Sequence, residues 1–449
     1  MAAGSTTRES FGTKIGFLLA AAGSAVGLGN MWRFPYQVSE GGGAAFVLVY
    51  IGLMLLIGIP LMLAEFAIGR CGQRAPVGSL RKLGGPVWGR LGFLYVFVGF
   101  AILAYYSVIA GWTVRYGIEA VVQGFGPSAA DHFAAVASGS DAVAFHVAFM
   151  AATTLIVVGG VKGGIERASL VMMPVLFVLV AGLSAWASTL PGAGEGYAVY
   201  LMPEIGELMN PDVWRAAAGQ VFFSLSLGMG GMLTFASYLR RDQNLPESAT
   251  IVSFTDFGVA FFAGLLVFPV IYSFALQDAV SGSTIGALFI AVPSAFESMG
   301  GLGRVVGLFF FLVLALGAIT STISLLEVVT ASMMDELGWS RRKAALLMGV
   351  AVTLVGVVPA MSLDVLGLMD KIVGELLLLV GGLALALFAG WRIPAVVREE
   401  LLSGASPFWQ RQVPRIFFVM RYAMPPMVAV LAFFSLRETV SAVAAFLGD

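Results

Sequence analysis

Three carboxylic acids, Glu65, Asp256 and Glu327, lie inside long apolar runs of this 449-residue chain. An ionised side chain at the centre of a bilayer costs about 2.5–3.5 kcal/mol on insertion scales, so each needs a partner or a task. Around them are groups that could supply oxygen ligands to a hard cation. One set is Gly23, Gly27 and Gly29 followed by Asn30. A second is Ser224 and Ser226 ahead of Gly228, Gly230 and Gly231; the run Thr320-Ser321-Thr322 adds further hydroxyls inside an apolar span. Each has a plainer reading. Small residues four apart let helices approach, and hydroxyls in membrane helices bond back to their own carbonyls. Glu65 and Glu327 read as buried acids that accept hydrogen bonds from amides freed at a helix break. Asp256 taken alone reads as an aspartate facing a cytoplasmic water path. No nucleophile–base set or metal cluster stands at usable spacing, so no enzyme is expected. Cys71 is alone, which excludes an intrachain disulfide. His132 and His146 are expected to be solvated or interfacial.

The elements that must position these groups are membrane helices. Hydrophobic residues make up 59% of the chain, charged residues 11%, and the mean hydropathy is +0.93, which excludes an ordinary soluble domain. Apolar runs give eleven spans at 13–37, 43–70, 88–123, 142–160, 167–189, 213–240, 250–276, 303–335, 342–358, 366–390 and 413–444. The segment 281–299, less hydrophobic and containing Pro293, reads as a short lid helix on the outer face. Nineteen of the 25 basic residues fall in segments on one side, the others being Arg33, Arg115, Arg215, Arg304, Lys371 and Arg437. The positive-inside rule then places the N-terminus in the cytoplasm, and an odd span count places the C-terminus outside. The first ten residues are polar, so the first span itself is expected to act as the targeting signal.

Two of these spans are interrupted. Glycine costs about 1 kcal/mol against alanine in a helix. A helix unwound at membrane depth must have its freed carbonyls and amides lining a cavity rather than facing lipid. One such stretch alone is as readily a packing motif. The second, Gln220 to Gly231, lies about halfway down the chain, and interrupted spans in corresponding halves mark the midplane site of transporters.

At this point the resemblance is specific. The run Gly23 to Pro35, with Asn30 and Arg33, resembles the signature of the neurotransmitter:sodium symporter family, and Gln220–Gly231 resembles that family's sixth span. Gly41-Gly42-Gly43 and the Pro60 to Arg70 stretch match in order. The resemblance implies an all-α integral membrane protein with a five-plus-five inverted repeat and broken helices 1 and 6. The divisions would be 1–12 as a cytoplasmic segment, 13–189 and 190–390 as the two repeats, and 391–449 as a linker and eleventh helix. It implies a bacterial or archaeal inner-membrane location, lipid and a small amino acid as partners, no nucleic acid, and a monomer sufficient for transport.

The same resemblance implies the site. One sodium ion would be held by the Ala25 carbonyl, Asn30, Ser224, Asp256 and the carboxylate of the substrate. Asp256 stands where the family usually has asparagine. A second sodium would take the Gly23, Val26 and Gly317 carbonyls with Thr320 and Ser321. The substrate carboxylate would meet Leu28, Gly29 and Tyr106; Ala25, Phe223 and Ser226 would take its ammonium. Ser24, Ile102, Phe223, Met229, Ser321 and Leu325 would surround its side chain. Gly27, an aspartate in monoamine-carrying relatives, argues for amino acids, and Met229 for hydrophobic ones. Arg33 with Asp370 would form the outer gate and Arg8 with Asp335 the inner one, with Ser237 and Tyr238 in support and Phe11 in place of a tryptophan plug. Tyr50, Gln220 and Ser224 match the family's anion site, but its fourth member is Ala260, so chloride independence is expected. The function implied is sodium-coupled symport of hydrophobic L-amino acids by alternating access. A proton-coupled or facilitative carrier of the same fold, and a non-transporting binding protein, are the alternatives.

Overall fold

The computed structural model describes residues 9–126, 128–277 and 287–448. Nine helices among them are long and apolar enough to cross a membrane, and ten when the bent pair Lys14–Ala25 and Gly29–Glu40 counts as one span. This pair, bent by 52°, is the first span. The second to fifth are Ala44–Gly72, Pro86–Val122, Ser140–Val158 and Val161–Ala187. The seventh to eleventh are Leu245–Ser273, Gly301–Leu337, Arg341–Met361, Leu363–Arg392 and Pro407–Leu447. The expected sixth span, 213–240, is interrupted, as its glycines suggest, into two helices, Pro211–Ser224 and Gly231–Ala236, each too short to cross alone. The count of eleven is therefore reached only by taking these two as one interrupted crossing. The described part of the expected lid is the short apolar helix Leu288–Ser298; residues 281–286 lie outside the described residues.

Local chemistry sets the helix limits. Thr13 caps the first helix through the Gly16 amide, Asn244 the seventh span through the Glu247 amide, and Ser340 the ninth through the Lys343 amide. The break in the sixth span has a backbone reason: Gly228 and Gly230 both have φ of +78°, which costs glycine nothing and a side chain about 1–2 kcal/mol. Ser226, at φ +52°, adopts the same region with a side chain.

The two 37-residue helices, the third and eighth spans, run against each other and flank the first span's break. Apolar side chains such as Phe97, Leu155, Val178 and Leu354 are exposed on the outside, where a lipid-facing helix must put them. Polar side chains are drawn inward: Asn30, Glu65, Asp256, Thr322 and Glu327 have no accessible surface.

Candidate functional site

The first break spans Val26 to Leu28, after which the chain resumes as a π-helical turn over Gly29–Arg33. Its freed amides are met by neutral side chains. Gly27 N donates to Asn30 Oδ1 at 2.9 Å, and Leu28 N to the Tyr106 hydroxyl at 3.0 Å. Asn30 Nδ2 donates in turn to Ser224 Oγ at 3.0 Å and to Asp256 Oδ1 at 2.6 Å. The other carboxylate oxygen of Asp256 accepts from Ser224 Oγ at 2.8 Å and from the Tyr50 hydroxyl at 3.3 Å. Asp256 is fully buried, and no Lys, Arg or His among the described residues forms an ion pair with it. A buried carboxylate with hydroxyls and no counter-charge fits an alkali cation.

A second nest lies on the other flank of the same break. Ser321 Oγ is 3.2 Å from the Gly317 carbonyl, 3.4 Å from those of Ser24 and Val26, and 3.5 Å from that of Gly23. One hydroxyl proton cannot serve four acceptors, so the carbonyl oxygens at the C-terminal end of the first half-helix are in excess. That end also carries the negative pole of the helix dipole. Thr320 Oγ1 donates to the Gly317 carbonyl at 2.9 Å. The Ser24 carbonyl was not expected in this nest.

Between the two nests is a pocket. Every expected substrate-facing residue lines it except Leu28, which contributes its amide to Tyr106 instead; Gly27 and Ser224 line it as well. Ser226 Oγ donates to the Ser24 carbonyl at 2.7 Å, tying the second break to the first. A Cβ on Gly27 would come within 2.6 Å of Ser321 Oγ and 2.7 Å of the Tyr106 hydroxyl, so any side chain there would fill the pocket's polar end. Ile102, Met229 and Leu325 make the opposite end apolar.

The profile of the sodium:neurotransmitter symporter family matches residues 8–133 and 131–435. The chain belongs to this family. An uncharacterized sodium-dependent transporter of Bacillus subtilis, YhdH, is 34% identical over 96% of this chain and 98% of its own length. The sodium-dependent neutral amino acid transporter B(0)AT2 of Bos taurus is 32% identical over 59% of this chain and 41% of its own. Among solved structures, MhsT in complex with L-phenylalanine is 38% identical, with a TM-score of 0.85 over 95% of this chain and 99% of MhsT.

Several residues of this symporter-family chain stand apart from where the sequence put them. Glu65 does accept from amides at the second break, Gly228 N at 2.8 Å and Leu233 N at 3.1 Å. Glu327 does not. It pairs with Arg341 at 2.7 and 2.9 Å and accepts from the Tyr238 hydroxyl at 2.5 Å. The left-handed turn at Gly338 folds the ninth span back so that Arg341 reaches it. That turn, followed by an arginine, was the available signal. Arg341 also binds Glu9 at 2.7 Å. At the outer gate a second carboxylate enters. Arg33 is 3.4 Å from Glu375, and its guanidinium lies 4.7 Å over the Phe223 ring, whereas Asp370 accepts from the Tyr105 hydroxyl at 2.9 Å. Asp335 accepts from the Ala75 amide at 2.6 Å; Arg8 lies outside the described residues. Phe11 packs edge-on against Phe17, Phe235 and Tyr238.

His146 is buried, held by Ser107 Oγ and the Thr353 carbonyl at 3.0 Å each, so the expectation of a solvated or interfacial ring is corrected for it. Sequence reading also missed Glu166, which accepts from the amides of Gly12 and Thr13 at 2.7 and 3.0 Å. It missed Arg70 too, buried against Glu400 at 2.7 Å and the Gln243 carbonyl at 2.5 Å.

Proposed function

We propose that the chain carries hydrophobic L-amino acids inward with sodium, by alternating access to the pocket between the two breaks. The observation that carries this is the placing of one pocket between Asp256, a buried carboxylate with no counter-charge among the described residues, and a carbonyl nest around Ser321. Asp256, Ser224, Asn30 and the Ala25 carbonyl would hold one sodium ion; Gly23, Val26, Gly317, Thr320 and Ser321 would hold the other. The sodium ions are cargo, and their charge balances the buried carboxylate and the excess carbonyl oxygens.

The pocket's own residues would orient the amino acid. The Tyr106 hydroxyl and the amides near Leu28 and Gly29 face the end where a carboxylate fits, at the positive end of a half-helix. The Ala25, Phe223 and Ser226 carbonyls, beside the two breaks, would take an ammonium. The apolar end, with Met229 able to adapt its unbranched thioether, suits aliphatic and aromatic side chains alike. MhsT, which shares 38% of the sequence, was solved with L-phenylalanine. A substrate carboxylate shared with the first sodium would make each ligand complete the other's site, so binding of the two is coupled and reciprocal. Asp256 already accepts from the Tyr50 and Ser224 hydroxyls that match the family's anion site, which supports chloride independence.

Access would alternate about the breaks. Arg33 and Phe223 would close the outer mouth, and Arg8, Asp335 and Phe11 the inner one, in a molecule whose N-terminus is cytoplasmic. Each net positive charge moved inward adds about 2.3 kcal/mol of driving force per 100 mV. Equilibrium binding of labelled leucine and phenylalanine to the purified protein tests the reading. Binding is expected in sodium and lost in potassium, and equal binding in both salts would overturn the coupling.

A further inference from the structure

We propose that Glu375 is the carboxylate that holds Arg33 over the pocket, and that Arg33 exchanges between Glu375 and Asp370 as the outer mouth shuts and opens. The inference rests on the reading of Arg33 as the arginine of the outer gate, and assigns it a second partner.

The tenth span leaves α geometry over Asp370–Leu377, where it is π-helical. In an α-helix, residues five apart are rotated by about 140° from one another. In a π turn the hydrogen bonds run between residues five apart and bring them one above the other. Asp370 and Glu375 are five apart, so the widened turn puts both carboxylates on one face, towards Arg33. Their present partners differ. Glu375 Oε1 takes Arg33 Nη2 at 3.4 Å and Oε2 takes Lys371 Nζ at 3.3 Å, while Asp370 Oδ1 holds the Tyr105 hydroxyl. A resting partner therefore exists for each carboxylate in either position of the arginine: Lys371 for Glu375 and Tyr105 for Asp370. Neither is left bare by the exchange, which keeps its cost small.

The arginine's position matters because of what lies beneath it. Its guanidinium covers the Phe223 ring, and that ring lies so close to Gly29 that a Cβ there would come within 2.8 Å of it. Guanidinium, ring and first break form a stack over the pocket. The Arg33 and Glu375 side chains are 13% and 23% exposed. A pair so placed is partly screened and can break on each turnover. Glu375 is then a positioning residue: it touches neither ion nor amino acid and acts through Arg33.

The test reads access to the pocket directly. An Ile102→Cys reporter, in a Cys71→Ser background, is labelled by an uncharged, water-soluble maleimide in sodium without amino acid. Glu375→Gln is expected to speed labelling about two- to fivefold. Glu375→Asp should fall between it and the parent, and Lys371→Gln, which removes the competitor, should slow labelling. Arg33→Gln should speed labelling at least as much as Glu375→Gln, and the double variant should match Arg33→Gln alone. Unchanged labelling in Glu375→Gln, or an undiminished further increase in the Arg33→Gln background, overturns the assignment of Glu375 and leaves the gate standing. No change in Arg33→Gln itself overturns the gate reading and the inference with it. Should Glu375→Gln fail to bind labelled phenylalanine in sodium when made without the reporter cysteine, Lys371→Gln decides: slower labelling supports the exchange, and unchanged labelling overturns it.

Discussion

The two breaks solve the same problem with different chemistry. At the first, the freed amides of Gly27 and Leu28 are met by Asn30 and Tyr106, both neutral. At the second, those of Gly228 and Leu233 are met by the buried carboxylate of Glu65. Neutral partners can be traded for a ligand at low cost, whereas a fully buried carboxylate that lost its amides would bear the desolvation of a charge. The first break is thus the exchangeable one, where the proposed ions and substrate would enter on both flanks. The second is pinned, and its left-handed glycines give it a fixed shape. A carrier built this way moves ligands at one break while the other keeps the geometry.

This contrast can be broken at several points. The largest effect is expected from Asp256→Ala, which removes the charge on which the proposed cation site at the first break depends. Sodium-driven accumulation should be lost in a protein that still folds, and normal accumulation would remove Asp256 from the site. Tyr106→Phe deletes one hydroxyl at the end where the proposed substrate's carboxylate would fit. Hydrogen bonds to charged groups are worth about 1.5–3 kcal/mol, so substrate binding in sodium should weaken about ten- to a hundredfold. Glu65→Gln should act on the other break and in another currency. One of the two amides loses its acceptor, and the midpoint of thermal unfolding should fall by an amount equivalent to about 1–3 kcal/mol, with the dependence of binding on sodium retained. A changed sodium dependence with unchanged stability would contradict the division of labour. Ser226→Gly should do least. It relieves a left-handed residue, worth about 1–2 kcal/mol, and removes a hydroxyl bond to the Ser24 carbonyl, worth about 1 kcal/mol, so stability should shift by about 1 kcal/mol or less.

The sequence made some of this legible and hid the rest, for physical reasons. Glycines in apolar runs announce a break, because nothing else tolerates φ of +78° at Gly228 and Gly230 so cheaply. Glu65 was readable because an acid in a membrane span near a break has few other partners. Glu327 misled because its partner, Arg341, sits beyond a turn whose tightness depends on one left-handed glycine, Gly338. Glu375 was missed for a related reason: the register that places it beside Arg33 comes from a π turn, and hydrophobic periodicity does not distinguish a π turn from an α turn. His146 reads as polar in sequence, yet its two nitrogens are satisfied inside the bundle. The sixth span's break was legible from Gly228, Gly230 and Gly231, while the apolar Leu225, Leu227 and Met229 between its halves hid how short each half is.

Uptake of labelled phenylalanine and leucine into proteoliposomes, driven by an inward sodium gradient, tests the coupling most directly. Both should accumulate above equilibrium in sodium, and neither should when potassium or choline replaces it outside. Accumulation that persists without sodium, or a sodium gradient that drives none, would contradict an amino acid and an alkali ion sharing the first break.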